Sequence, residues 1–193
     1  VISDISSIAE EVHKDTVYIT VVDKDRMSVS LIYSIFHGFG SGIASEKFGI
    51  LFQNRGAGFN LVPSHINEYG PAKRPLHTII PAIVKEKGVI KMPFGVMGGQ
   101  YQATGHVRIL SNIYDFGMGI QTALDAPRSF FENGSLKIER GYDENVVQQL
   151  SNLGHNIDQK IGPIGGAQAI KIYEHGVLEG ASDPRKDGSA IGY

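Results

Sequence analysis

The sequence predicts an α+β fold in which mainly antiparallel sheets carry helices on their outer faces. Runs rich in β-branched and aromatic residues come in pairs joined by short turns, a pattern typical of hairpins. Segments with apolar residues at helical spacing lie between these pairs instead of alternating with single strands. The chain has 193 residues, which is long enough for one domain with a substantial core.

The first half of the chain is predicted to begin with a helix and a hairpin. Ile5, Ile8 and Val12 recur at helical spacing, and Asp23 opens a charged turn between two β-branched runs. The loop that follows is longer than compact domains usually keep without a function. In order, these elements are a helix over residues 1–14, strands over 16–22, 28–36 and 50–53, and the loop 54–75.

The second half is predicted to alternate hairpins with helices. Gly98 and Gly99 precede a long run with helical periodicity. Pro127 ends a second helix, and Gly154 ends a third because glycine readily adopts the left-handed conformation. In order, these elements are strands over 78–85 and 89–94, helices over 100–116 and 119–126, a strand over 135–139, a helix over 144–153, and a closing hairpin of 167–173 and 177–180.

Composition argues against several classes of function. The net charge of −2 gives no sign of a nucleic-acid or membrane-surface partner. No apolar run reaches the roughly 18–20 residues of a membrane span, and the lack of Cys excludes disulfides and thiolate metal sites. The His residues show no metal-ligand spacing, and Gly38, Gly40 and Gly42 lie at the wrong offsets for a dinucleotide site. We therefore expect neither a metal nor a cofactor.

Thr16 is the candidate nucleophile because it opens a β-branched strand directly after a polar, helix-like segment. A threonine hydroxyl is a poor nucleophile unless a base takes its proton, and cleavage of the chain before it frees an α-amine that can serve. The bond between Asp15 and Thr16 is then either the self-processing site of an amide hydrolase or an ordinary bond at the start of a hairpin. The chain begins with Val1 and shows no start Met or signal-peptide pattern, so we expect it to belong to a longer precursor.

Short motifs follow one another in a fixed order from Thr16 to the end of the chain. They are Thr16 with Val-Val-Asp-Lys-Asp at 21–25, Phe-Gly-Ser-Gly-Ile at 39–43, Gly-Ile-Leu at 49–51 with Asn54, Lys-Arg-Pro-Leu at 73–76, Pro81, Gly-Gly at 98–99, Ala-Pro-Arg at 126–128, and Gly-Ala-Ser-Asp-Pro-Arg at 180–185 with Gly-Tyr at 192–193. Together they resemble the small subunit of the γ-glutamyltranspeptidase family of N-terminal-nucleophile hydrolases. Within that family, the chain looks most like the cephalosporin-acylase-like branch.

The resemblance implies a mechanism. Thr16 would attack the preceding carbonyl in the precursor and, once released, would attack amide substrates to form an acyl-enzyme. Its freed α-amine, with a reference pKa of about 7.7–8.0, would act as the base. Ser34 would assist as a second hydroxyl, and Gly98 and Gly99 would supply backbone N–H groups to the oxyanion. The structural alternatives are an ordinary strand serine for Ser34 and a strand–helix turn for the glycine pair. The tail over residues 182–185 is predicted to be a structural turn in which Asp183 and Arg185 hold neighbouring loops together.

Six positions indicate which substrate is bound: Phe36, Asn54, Arg55, Gly58, His77 and Thr78. In γ-glutamyl enzymes, by the same resemblance, an Asn stands at the position of Phe36, and an acid that holds the α-amino group stands at the position of Gly58. Two serines that hold the α-carboxylate are replaced by His77 and Thr78. Losing one partner of a buried ion pair costs on the order of 2–5 kcal/mol. Because Arg55 adds positive charge at this place, we expect an amide with an anionic, non-γ-glutamyl acyl group, such as a glutaryl chain.

The resemblance also implies a four-layer αββα sandwich that an upstream large subunit completes as a heterodimer. Residues 1–15 would be the end of that subunit or a linker, and 16–193 the small-subunit catalytic domain. We expect a small amide substrate, no nucleic-acid or membrane partner and a cytoplasmic location; a higher oligomer is open. Two alternatives remain: a genuine γ-glutamyl hydrolase or transpeptidase acting on glutathione-like substrates, and an inactive family member that serves as a binding module.

Overall fold

The computed structural model describes residues 16–159 and 162–193. The helix predicted over 1–14 and the Asp15 side of the predicted cleavage site lie outside the described residues. In chain order, the described elements are β1 (Thr16–Val22), β2 (Ser28–Ser34), a 3₁₀ turn (Arg55–Gly58), β3 (Ala82–Glu86), β4 (Val89–Met97), α1 (Tyr101–Tyr114), α2 (Ile120–Asp125), β5 (Ser129–Glu132), β6 (Ser135–Ile138), α3 (Glu144–Asn152), β7 (Ile157–Asp158), β8 (Gly166–Ile172) and β9 (Leu178–Ser182). None of the helices described is long and apolar enough to cross a membrane.

The central element is an antiparallel sheet with the strand order β3-β4-β8-β9. β4 is covered on both faces, which explains its almost continuous apolar sequence. Its residues Phe94 and Val96 pack in one cluster with side chains of α1 and α2. Met97 packs on the other face, in a second cluster with Tyr18 and Ile32 of the first hairpin. The period-2 alternation of the strand thus divides its side chains between two layers.

The β1–β2 hairpin has one face buried on β4 and one exposed face. Tyr18 points inward, is 4% exposed, and covers Gly95, where a Cβ atom would overlap the tyrosine ring. The opposite face carries six apolar side chains that are 45% to 62% exposed within the described part of the chain. They are Val17, Ile19, Val21, Val29, Leu31 and Tyr33. An apolar face of this size is typical of an interaction surface.

A second, smaller sheet follows α2. β5 and β6 form an antiparallel hairpin across Asn133 and Gly134, both of which have positive φ, and β7 joins β6 in parallel. Helix α3 begins after Asp143, whose carboxylate accepts a hydrogen bond from the backbone N–H of Asn145 at 2.7 Å. Arg128, just before β5, forms an ion pair with Asp183 just after β9. This pair connects the second sheet with the central one.

The predicted α+β class with mainly antiparallel sheets is confirmed, and the helices after residue 100 begin and end close to their predicted bounds. The strand predicted over 50–53 is wrong. Leu51 forms only an isolated bridge with Ala44, and the chain turns at Gly49, which has a φ of 63°. Backbone bonds from Ser41 and Ser45 to the carbonyls of this segment hold it as a compact loop.

Two strand bounds differ from the prediction for local reasons, and one strand was missed. β2 ends at Ser34 instead of Phe36, which lies in the left-handed region with a φ of 78°. β3 begins at Ala82 instead of residue 78 because Pro81 has no N–H to donate to a sheet. The sequence analysis missed β5, a strand of four residues. Its signal was the Asn-Gly turn that follows, which favours a two-residue hairpin.

Candidate active site

Thr16 and Ser34 lie side by side at one end of the β1–β2 hairpin. The antiparallel register pairs them directly across the two strands, so their side chains lie on the same face of the hairpin. Thr16 Oγ1 and Ser34 Oγ are 2.9 Å apart, which is hydrogen-bond distance. Backbone pairing, and not a flexible loop, therefore holds the two hydroxyls together.

Arg55 joins this pair from the 3₁₀ turn. Its Nη2 donates to Ser34 Oγ at 3.1 Å and its Nη1 donates to Thr78 Oγ1 at 3.2 Å. The guanidinium carbon lies 4.4 Å from the centre of the Phe36 ring, a cation–π contact. Arg55 is 8% exposed, and burial lowers the pKa of its guanidinium by disfavouring the charge. Among the residues the structure describes, no carboxylate lies within ion-pair distance of it.

Phe36 closes the site beside the hydroxyl pair. Its backbone N–H donates to Ser34 Oγ at 3.1 Å, and its ring stacks on His37 with centroids 4.4 Å apart. Its φ of 78° is rare for an aromatic residue and costs conformational energy. A Cβ atom added at Gly58 would lie 3.8 Å from the Phe36 ring, so this glycine borders the aromatic side chain.

Asn54 fixes the backbone that leads into the 3₁₀ turn. Its N–H donates to the carbonyl of Ile35 at 3.2 Å, and its Oδ1 accepts from the N–H of His37 at 3.1 Å. Its Nδ2 also lies 3.0 Å from Nδ1 of His37. These contacts tie the end of β2 to the turn, and so determine where Arg55 enters the site.

Gly98 and Gly99 form the turn between β4 and α1. Their φ values are 123° and 60°, conformations that favour glycine. Their carbonyls accept the N–H groups of Tyr101 and Gln102, both at 3.2 Å, in the first turn of α1. A Cβ on Gly98 would lie 2.6 Å from Cα of Gly165, so the two backbones touch with no room for a side chain.

The β1–β2 hairpin packs on β4, the strand that leads to this glycine turn. Ser30 Oγ donates to the carbonyl of Phe94 at 3.4 Å, and Ile32 shares a cluster with Met97. Residues further along β2 therefore contact residues further along β4. Ser34 is the next residue of β2 on that face, so we expect the hydroxyl pair to lie toward the end of β4, where Gly98 follows.

A buried ionic network holds the backbone behind the glycine turn. Glu139 accepts the N–H of Ile164 at 2.7 Å and the N–H of Arg128 at 2.9 Å, and pairs with Arg185 at 2.6 Å. Burial alone raises the pKa of Glu139, but hydrogen bonds from Arg185 and the two N–H groups outweigh it and hold this pKa below its ordinary value. Ile164 precedes Gly165, so the network determines the position of the backbone that touches Gly98.

The predicted role of the tail is confirmed. Asp183 pairs with Arg128 and with Arg185, and Arg185 also reaches Glu139. The sequence analysis did not assign Glu139 or Gly165 to this region. The cluster of glycines from 162 to 166 was the available signal, because such clusters mark close approach of backbones.

The structure brings the side chains of five predicted site residues together from four segments of the chain: Thr16, Ser34, Phe36, Arg55 and Thr78. Gly58 borders them and Asn54 supports them, whereas His77 is exposed. The chemical roles of these residues stay predictions. Within 16–159 and 162–193, no three His, Asp or Glu side chains are arranged to hold a metal ion.

A family model for gamma-glutamyltranspeptidase matches residues 3–193. The chain therefore belongs to the γ-glutamyltranspeptidase family, as the ordered motifs predict. It is 37% identical over 191 residues to the glutathione hydrolase-like YwrD proenzyme of Bacillus subtilis, covering 94% of this chain and 36% of that protein. It is 36% identical over 188 residues to the oxamate amidohydrolase proenzyme of Klebsiella pneumoniae, covering 93% and 36%.

Solved structures show the same fold. The cephalosporin acylase of Bacillus halodurans is 38% identical, with a TM-score of 0.84, over 91% of this chain and 34% of that one. The chain thus spans about a third of the length of the relatives it matches. Their names include a glutathione hydrolase-like protein, an oxamate amidohydrolase and an acylase, so the family does not by itself define a substrate.

Proposed function

We propose that this chain is the catalytic part of an autoprocessing amidohydrolase in which Thr16 is the nucleophile. The observation that carries the proposal is the 2.9 Å contact between Thr16 Oγ1 and Ser34 Oγ at the first residue of a strand. A hydroxyl held by a second hydroxyl in a partly buried site is placed to attack a carbonyl once a base is available. The relatives named as proenzymes support a processing step.

Processing starts with the peptide bond between Asp15 and Thr16. The Thr16 hydroxyl oxygen attacks the Asp15 carbonyl carbon, the C–N bond breaks, and the acyl group moves to the oxygen as an ester. The released nitrogen takes up the hydroxyl proton. Water then cleaves the ester and leaves Thr16 with a free α-amine, whose reference pKa of about 7.7–8.0 leaves it partly neutral near pH 7.

Turnover repeats this chemistry on an external amide. The α-amine takes the Thr16 hydroxyl proton as the oxygen attacks the amide carbonyl, and the same proton then goes to the leaving amine. An ester between the acyl group and Thr16 remains, and water or an acceptor amine resolves it. Gly98 and Gly99, ahead of α1, would donate backbone N–H groups to the oxygen that gains negative charge.

The substrate we propose is an N-acyl amide with an anionic acyl group that is not γ-glutamyl, such as a glutaryl amide. Arg55 supplies a buried positive charge beside the nucleophile. Phe36 and Gly58 offer no carboxylate or amide to the α-ammonium group of a γ-glutamyl substrate. The acylase among the solved relatives, at 38% identity, supports a branch with substrates other than glutathione.

We further propose that an upstream large subunit from the same precursor covers the exposed face of β1–β2 and completes a four-layer αββα sandwich. The six apolar side chains of that face are 45% to 62% exposed in the part of the chain that is described. The matched relatives are about three times as long as this chain, which is consistent with a partner of the required size.

Replacing the nucleophile tests the proposal. In protein expressed from the complete reading frame, mass spectrometry should find a fragment that begins at Thr16, and T16A should abolish this cleavage. Release of 4-nitroaniline from glutaryl 4-nitroanilide, the glutaryl anilide used as substrate, should fall on the order of 10³-fold or more in T16A. T20A, on the same strand, removes another threonine hydroxyl, which bonds the carbonyl of Val29, and should leave both readouts nearly unchanged.

The unaltered protein should also hydrolyse the glutaryl anilide at least about tenfold more efficiently than a γ-glutamyl anilide, as expected when the α-ammonium has lost its partner. A preference for the γ-glutamyl compound would contradict the substrate part alone. An uncut, inactive protein would contradict the whole proposal and favour the binding module.

A further inference from the structure

One asparagine connects the two sides of the long loop between the 3₁₀ turn and Thr78, residues 59–77. All residues of this loop are described and none lies in a helix or strand, and a loop of this length in a compact domain usually has a function. Nδ2 of Asn67 donates to the carbonyl of Gly58 at 2.6 Å, and its Oδ1 accepts from the N–H of Leu76 at 2.9 Å. We infer that Asn67 is a positioning residue that determines how well an anionic acyl group is bound, an inference that rests on the proposed function.

The chemistry of its two partners determines the orientation of the Asn67 amide. A backbone carbonyl only accepts and a backbone N–H only donates, so Gly58 needs the NH₂ group and Leu76 needs the oxygen. The main chain of Asn67 is held as well. Its carbonyl accepts the N–H of Asn60 at 2.8 Å, and its N–H donates to Nδ1 of His65 at 3.0 Å. The side chain is therefore already in place across the loop before any substrate binds.

The two partners of Asn67 lead directly to the contact between Arg55 and Thr78. Gly58 ends the 3₁₀ turn that Arg55 begins, and Leu76 lies two residues before Thr78. Nη1 of Arg55 donates to Oγ1 of Thr78 at 3.2 Å. The two segments are thus joined twice, by the arginine inside the site and by Asn67 behind it. The second connection limits how far the guanidinium and the hydroxyl of Thr78 can move apart.

The end of the 3₁₀ turn is also packed between the loop and an aromatic ring. A Cβ atom at Gly58 would lie 3.6 Å from the carbonyl oxygen of Leu76, 3.6 Å from Cβ of Pro75 and 3.8 Å from the Phe36 ring. The guanidinium carbon of Arg55 lies 4.4 Å from the centre of the same ring. A shift of Gly58 away from Leu76 would therefore change the position of the guanidinium in the site.

Such a shift should affect binding of a charged acyl group more than the chemical step. Arg55 is a buried cation without a carboxylate within ion-pair distance in the described part of the chain, and the strength of a buried ion pair depends steeply on its geometry. A neutral acyl group makes no such pair. The nucleophile Thr16 lies on the hairpin, which is positioned by β-pairing and by packing on β4. We therefore expect Asn67 to determine the preference for anionic over neutral acyl chains.

The experiment compares two 4-nitroanilides on the processed enzyme from the complete reading frame. One carries a glutaryl group, and the other carries a butyryl group, which has no carboxylate. N67L removes both hydrogen bonds of the amide and keeps a branched side chain of similar shape. It should lower kcat/KM for the glutaryl compound about tenfold, mainly by raising KM, and change that for the butyryl compound by less than about threefold. N156L removes an exposed asparagine that donates to Ser135 Oγ at 2.8 Å, and this matched control should leave both values unchanged.

A double-mutant cycle with R55M shows whether Asn67 acts through Arg55. The preference for the glutaryl over the butyryl compound should fall in N67L and in R55M, and the double variant should differ from R55M alone by no more than about twofold. If the two effects instead multiply, or if N67L lowers kcat/KM equally for both anilides, Asn67 only stabilises the loop and this inference is overturned.

A second variant covers the case in which N67L is not cleaved before Thr16. N67A removes the same two hydrogen bonds without adding apolar bulk, and the same results are expected of it. Loss of processing in both variants, with N156L processed normally, would show that the fold needs Asn67 and would also overturn this inference. These outcomes leave hydrolysis by the unaltered enzyme, and with it the proposed function, intact. Absence of hydrolysis of both anilides by the unaltered enzyme would contradict the proposed function, and this inference with it.

Discussion

Two buried arginines in this chain have opposite surroundings. Arg128, 2% exposed, pairs with the carboxylate of Asp183 and donates to the carbonyls of Ile164 and Leu124. Arg55, 8% exposed, donates to two hydroxyls and lies over an aromatic ring. In the described residues, the first cation has one carboxylate and two carbonyl acceptors, and the second has no carboxylate partner.

This difference in hydrogen-bond acceptors distinguishes a charge that stabilises the fold from one that can interact with a substrate. A buried cation loses its hydration, and protein acceptors normally replace it. Arg128 meets this requirement within the chain, so its charge contributes to the connection between the two sheets. Arg55 bears part of the desolvation cost without a carboxylate, and its pKa is lowered accordingly. Buried charges with shifted pKa values are common at functional sites.

Breaking the Arg128 pair should have the largest effect on stability. D183N removes the negative charge at nearly constant shape and leaves the Arg128 cation buried without it, which typically costs about 3–5 kcal/mol. Urea denaturation should show this as a strongly lowered midpoint with little change in slope. D25N, which replaces an exposed aspartate in the β1–β2 turn, should change the free energy of unfolding by less than about 0.5 kcal/mol. A similar small change in D183N would show that the pair is not structural.

Removing the charge of Glu139 should have the next largest effect on stability. It should also lower the activity of the candidate active site. E139Q leaves the N–H groups of Ile164 and Arg128 with a weaker acceptor and leaves Arg185 with Asp183 as its one carboxylate partner among the described residues, at a cost of about 1–3 kcal/mol near pH 7. Because Ile164 precedes Gly165, which touches Gly98, we also expect kcat to fall more than KM rises. A KM effect alone would contradict this connection to the glycine turn.

The same substitution has a pH signature. The pKa of Glu139 is lowered in the folded state, so its contribution is fully present above the unfolded value near 4.5 and is lost as pH falls toward the folded value. The stability difference between E139Q and the unaltered protein should therefore be constant between pH 6 and pH 8, and should shrink below about pH 4.5. A difference that stays constant down to pH 3 would mean that Glu139 does not titrate in this range.

The contrast between the arginines also shows what the sequence could predict. The strand that begins at Thr16, the glycine turn and the helices after residue 100 depend on local patterns, and the structure contains them where expected. The strand predicted over 50–53 failed because Gly49 and a bridge to Ala44 decide its conformation, and these are loop contacts. The partner of Arg128 is 55 residues away in sequence, and no local periodicity indicates such a pair. Arg55 was identified from its neighbours in the motif. Its two hydroxyl partners, Ser34 and Thr78, are distant in sequence, and only the tertiary structure brings them to it.

Replacing Arg55 should have the smallest effect on stability. R55M keeps an unbranched apolar side chain over Phe36 and removes a cation that has no carboxylate partner among the described residues. The lost hydroxyl contacts and the relieved desolvation oppose each other, so the free energy of unfolding should change by no more than about 1 kcal/mol in either direction. Urea denaturation, carried out under the same conditions as for D183N, measures this free energy. A loss near that of D183N would mean that Arg55 has an anionic partner in the assembled protein and is as structural as Arg128. A small change in the free energy of unfolding together with a large loss of kcat would show that the charge of Arg55 serves the reaction and not stability.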